Sequence, residues 1–107
     1  MDLYWNDKKT AYGVLYSPGY GAGWSSWNDK ALAYDKRVID YWLTHKHAKI
    51  EEVHKYLKEL GYDVYVSVSN WYNLELEWIR PLVYWRINEY DGSESIEILN
   101  LDNWNHF

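Results

Sequence analysis

A chain of 107 residues with no cysteine, 20% aromatic, carries 11 Lys and Arg against 16 Asp and Glu, a formal net charge of -5. The length suits one domain spanning 1–107, and the acidic balance, with no basic run longer than Lys8-Lys9 or Lys36-Arg37, argues against direct nucleic-acid binding. Without cysteine there are no disulfides, thiolate chemistry or zinc-cysteine sites. The start, MDLYWNDKKT, lacks a cationic-apolar leader, and no apolar run has membrane-spanning length, so a location in the cytoplasm, without membrane association, is expected.

Residues 11–16 place Tyr12, Val14 and Tyr16 on one side and predict a half-buried strand ending at Ser17-Pro18. Residues 17–28, SPGYGAGWSSWN, then interleave Gly19, Gly21 and Gly23 with Tyr20, Trp24 and Trp27. Such glycines cost backbone entropy to order, and indole and phenol rings offer amphipathic contact area, so this loop reads as a contact loop. Asn28 caps a short helical turn over 29–34, and Asp35 caps a helix to about His45 with Val38, Ile39, Trp42 and Leu43 as its apolar stripe.

Ile50, Val53, Leu57 and Leu60 recur at helical spacing, Glu51 and Glu52 favour the positive end of that helix, and Gly61 stops it. From Tyr62 the period becomes two, predicting a strand over 62–69 with Tyr62, Val64, Val66 and Val68 on one face. Strands over about 74–79, 83–90 and 95–100, divided by Arg80-Pro81 and by Asp91 to Glu94, predict an antiparallel meander. The expected fold is α+β, with two helices packed on one face of a mostly antiparallel sheet of about five strands.

Strand parity puts Val83, Trp85 and Ile87 on one side of the fourth strand and Tyr84, Arg86, Asn88 and Tyr90 on the other. A guanidinium beside rings suits a phosphate or carboxylate carried by a stackable group, while an ordinary solvent face would read the same. The glycine loop is neither a P-loop nor a GxGxxG fingerprint. Its amides from Gly19 to Gly23 can still converge on an anion, with Ser25 and Ser26 adding hydroxyl donors. The same glycines would equally serve a tight turn, with Trp24 and Trp27 plugging the edge of the core.

EYDGSESIE at 89–97 clusters carboxylates around Asp91-Gly92, a standard turn former, without a calcium-loop spacing. Glu89, Asp91 or Ser93 would serve ribose hydroxyls if this turn met the glycine loop. No GxSxG is present, Glu75 and Glu77 have no evident acid partner, and His45, His47, His54 and His106 do not converge as zinc ligands. No enzyme activity, metal or cofactor is expected.

SPGYGAGWSSWN, EYDGSESIE and LKELGY at 57–62 resemble a family of small uncharacterised proteins of bacteriophages and prophages, over roughly 13–98. Residues 79–82, IRPL, stand where that family has a proline-glycine turn, and both chain ends lie outside the similarity. The resemblance implies a non-enzymatic protein acting in the host cytoplasm, as phage proteins do that sequester nucleotide immune signals. The expected ligand is therefore a small phosphate-bearing host molecule, held by amides of Gly19, Gly21 and Gly23, stacked on Tyr20 and Trp24 or Trp27, with Ser25 beside the phosphate. Arg86 with Glu89, Tyr90, Asp91 and Ser93 completes that expectation, and surplus rings would form a homo-oligomer interface. The alternative is a protein inhibitor of a host immune effector, for example an anti-CRISPR, in which the exposed rings are hot spots.

Overall fold

The computed structural model describes residues 2–20 and 23–99. Strand β1 (Tyr12–Tyr16) pairs antiparallel with β2 (Glu75–Ile79), Tyr12 lying opposite Ile79 and Tyr16 opposite Glu75. Strands β3 (Tyr84–Tyr90) and β4 (Ser93–Leu99) form a separate antiparallel hairpin, with Tyr84 opposite Leu99 and Tyr90 opposite Ser93. Its two-residue turn has Asp91 at φ 52° and Gly92 at φ 86°, the positive pair a type I′ turn requires.

Helix α1 (Lys36–Thr44) starts where Asp35 accepts from the Arg37 N–H at 3.0 Å, and buries Val38, Ile39 and Trp42. Helix α2 (Ile50–Glu59) buries Val53 and Leu57 on the predicted stripe. Asp35 itself is 1% exposed and also accepts from Arg37 Nη2 and the Tyr62 hydroxyl, both at 2.7 Å. Burial pushes its carboxyl up, but bonds from Arg37 and Tyr62 outweigh that and hold it below the usual carboxylate range.

Adjacent β1 residues point to opposite faces, and both are fully buried in different cores. Leu15 packs with Trp24, Val38, Ile39, Trp42, Val53, Leu57 and Trp71, whereas Val14 packs with Ala33 and Ile79, against Trp85, Ile87 and Ile96. The β1–β2 sheet is thus covered by helices on one side and by the β3–β4 hairpin on the other.

The α+β class holds, but a single sheet of about five strands with two helices does not: the described residues form two two-stranded sheets and three α-helices. Two local causes account for the difference. Residues 62–69 form no strand: Ser67 caps helix α3 (Val68–Tyr72) by accepting the Asn70 N–H at 3.0 Å. That helix buries Trp71, whose indole donates to His45 O and whose carbonyl accepts the Trp42 indole, each at 2.9 Å. Burying one large ring outweighs the β preference of Val64, Val66 and Val68. The period-two burial survives only over 62–66, where Tyr62 and Val66 are buried and Asp63 and Tyr65 exposed. Between β2 and β3, Leu82 takes φ 65° and is fully exposed, so the chain leaves the first sheet instead of forming a meander.

Candidate functional site

The two motifs meet through a residue that sequence reasoning passed over. Glu94, at the start of β4, is 2% exposed, and its carboxylate is inserted into the glycine loop. It accepts from the backbone N–H groups of Ser17, Trp24 and Ser26, each at 2.9 Å, and from the Ser26 hydroxyl. Its own N–H donates to Ser17 O at 2.6 Å. Ser93 Oγ donates to Pro18 O at 2.8 Å, and Ser17 Oγ to Asn70 Oδ1 at 2.6 Å, while Asn70 Nδ2 donates to Gly23 O. Converging amides make an anion nest, and the anion in this one is the protein's own.

The loop's other residues divide between core and surface. Trp24 is fully buried, edge-on to Trp71 with centroids 5.9 Å apart, and its indole donates to Leu32 O. It is therefore a core residue, not a ring free to stack on a ligand. Gly23 is buried; a Cβ there would lie 2.7 Å from the Trp27 ring, so glycine is required by packing. Gly19 and Tyr20 are exposed, Tyr20 to 75%, Trp27 is 52% exposed, and Gly21 lies outside the described residues.

Beside the nest, a cleft of about 700 Å³ opens between the 3-10 turns Ser25–Trp27 and Lys30–Ala33 and strand β3. Asp29 caps the second turn by accepting the Ala31 N–H at 3.0 Å, which places Lys30 at the cleft. Ser25, Ser26 and Asn28 line the same side, and Tyr34, Trp85, Arg86 and Ile87 the other. Trp85 is fixed: its indole donates to Tyr12 Oη at 2.8 Å and its ring stands edge-on to Tyr34, 6.3 Å between centroids. Arg86 uses Nε on Glu97 at 2.9 Å, leaving its terminal nitrogens without a partner among the described residues. Bonds from Asn88 and Arg86 hold the Glu97 carboxyl below its usual range. Lys30 has no ion pair among the described residues.

Of the remaining expected residues, Ser25 and Arg86 come together at this cleft, whereas Glu89, Tyr90 and Asp91 do not line it. Glu89 Oε1 accepts the Gly92 N–H at 2.9 Å and so serves the turn; Tyr90 and Asp91 are exposed at the hairpin tip. Lys30, Asn28, Tyr34 and Trp85 were not foreseen as site residues. Glu94 had a readable signal, since parity puts it on the face of Ile96 and Ile98, and an acid on an apolar face needs buried donors. Lys30 had none, because an ordinary surface lysine looks the same in sequence.

Among the described residues no group of three or more His, Cys, Asp or Glu is placed to hold a metal ion, and no helix is long and apolar enough to cross a membrane. The chain matches no family model, no curated protein and no solved structure.

Proposed function

We propose that this protein is a non-catalytic binding protein that captures a small phosphate-bearing molecule in the cleft between the 3-10 turns and β3. The observation that carries this reading is the pairing of two cations with rigid rings in one concavity: Lys30 and Arg86 beside Tyr34 and Trp85. A phosphate between ammonium and guanidinium gains two charge-assisted contacts, while on the wall that carries Lys30 the Ser26 hydroxyl donates to Glu94 and the Asn28 amide to Trp24 O and Tyr65 O. The rings offer an apolar wall to a base or nicotinamide. About 700 Å³ falls within the size range of small-ligand sites.

Compared with the sequence-based expectation, the anion site moves by one layer. The loop amides of Trp24 and Ser26 serve Glu94, so the phosphate contacts fall to side chains on the cleft rim, and the glycine loop becomes the scaffold that holds Ser25 and Ser26 in place. In the phage setting that the sequence resemblance implies, the captured molecule is a nucleotide-derived host immune signal in the host cytoplasm.

Calorimetry against cyclic dinucleotides, NAD and ADP-ribose tests the proposal, with Arg86→Ala and Lys30→Ala as site variants. Micromolar binding by one class, lost in both variants, with the ligand recovered unchanged after heating, is the expected result. No binding by any member, or equal binding by the variants, overturns it, and recovered product would mark an enzyme instead.

A further inference from the structure

The hairpin leaves the outer edge of β3 open, and that edge matches itself. In a two-residue type I′ hairpin the flanking residues Tyr90 and Ser93 close the ladder as a hydrogen-bonded pair, and bonded pairs then alternate. Trp85, Ile87 and Glu89 therefore direct their backbone N–H and C=O away from β4. Glu94, opposite Glu89, confirms the phase, because its N–H leaves the hairpin to meet Ser17 O. Strand β3 pairs only with β4, and no backbone partner for Trp85, Ile87 or Glu89 exists among the described residues. Trp85, Arg86 and Ile87, three successive residues of one strand, line a single cleft.

We propose that β3 pairs antiparallel with β3 of a second copy of this chain, across a two-fold axis at Ile87, joining two hairpins into one four-stranded sheet. Three features of the strand select a second copy as the occupant. Ile87 is its midpoint, and it is an outward residue, so it can exchange both backbone bonds with its own mate. The sequence YWRINEY is complementary when reversed on itself: Tyr84 of one copy faces Tyr90 of the other, and Arg86 faces Asn88, so no like charges meet. Tyr84 and Tyr90, 60% and 78% exposed within this chain, become cross-strand ring pairs at both ends of the joint. An open strand edge is a template for pairing with another chain, and an isologous pairing removes that edge. Because Trp85, Arg86 and Ile87 also line the ligand cleft, the second copy's strand and a bound ligand would compete for this edge; mass reports on the pairing and calorimetry on the ligand, so the failure of one is distinguishable from the failure of the other.

Sedimentation equilibrium and register-specific cross-linking test the pairing on the full chain. The wild type is expected at twice 13.0 kDa across the micromolar range, and Asn88→Arg, which sets a second guanidinium opposite Arg86, raises the dissociation constant about tenfold. Because the chain has no cysteine, Tyr84→Cys mixed with Tyr90→Cys should cross-link on oxidation, and either variant alone should not. A 13.0 kDa mass at every concentration overturns the proposal. So does a dimer in which the mixed variants cross-link no faster than each variant alone; the wild-type mass decides even if a variant fails to fold.

Discussion

Replacing Glu94 with alanine would empty the nest on which the glycine loop is built. The Ser17, Trp24 and Ser26 N–H groups and the Ser26 hydroxyl lose their acceptor at once. Each buried donor left unsatisfied costs about 1–3 kcal/mol, and water entering the vacated space recovers part of the total. The expected loss is about 3–5 kcal/mol, a large share of the 5–15 kcal/mol typical of a domain. Glu94→Gln keeps the shape but turns an amide donor toward donors on one side, and should cost about 2 kcal/mol. Urea unfolding followed by tryptophan fluorescence measures both, and acetate in the buffer should partly restore Glu94→Ala by refilling the nest. Glu97→Ala, which removes a partly exposed acid three positions along the chain, is the control and should leave the midpoint nearly unchanged. A Glu94→Ala variant within about 1 kcal/mol of wild type would refute the reasoning.

Other outcomes follow from the same structure. Gly23→Ala would force the Trp27 ring and Ser26 Oγ apart from the new Cβ; a loss of about 1–2 kcal/mol is expected in the same assay. Trp24→Ala, at a fully buried ring, should cost about 3–5 kcal/mol, whereas Trp27→Ala should change the midpoint little; equal losses would contradict the division of the loop into core and surface. Asp35 has its folded pKa held below the unfolded value, so its contribution is present above the ordinary carboxylate range and is lost as pH falls through the folded pKa. The stability gap between wild type and Asp35→Asn should therefore narrow on acidification, and a gap that widens would reverse the sign of the argument. Tyr16, pushed up to about 12 by burial and its bond to Glu75, should remain a phenol in ultraviolet titration above the ordinary tyrosine range of about 10.

Most of the helical layer was legible because its signals are local. Asp35 as a cap and the Val53–Leu57 spacing act within one helix, and β3 and β4 were marked by alternation around Asp91-Gly92. What was not legible depended on partners distant in sequence. Whether 62–69 became strand or helix turned on Trp71 reaching His45 and Trp42, and no local propensity contains that contact. The glycine loop illustrates the same limit: spacing revealed amides able to hold an anion, but only the packing of β4 against the end of β1 reveals that Glu94 holds that place. Likewise Arg86 was readable as an exposed cation, while Lys30, 56 positions earlier, joins it at the cleft only in the folded chain.

The location of the bound molecule tests the account most directly. An amide and indole NMR titration, with whichever phosphate-bearing compound binds in calorimetry, should shift Ser26, Lys30, Tyr34, Arg86 and the Trp85 indole N–H together, leaving the buried Trp24 and Trp71 indoles in place. Shifts confined to Tyr20 and the Tyr90–Asp91 tip, with the Trp85 indole unmoved, would contradict it.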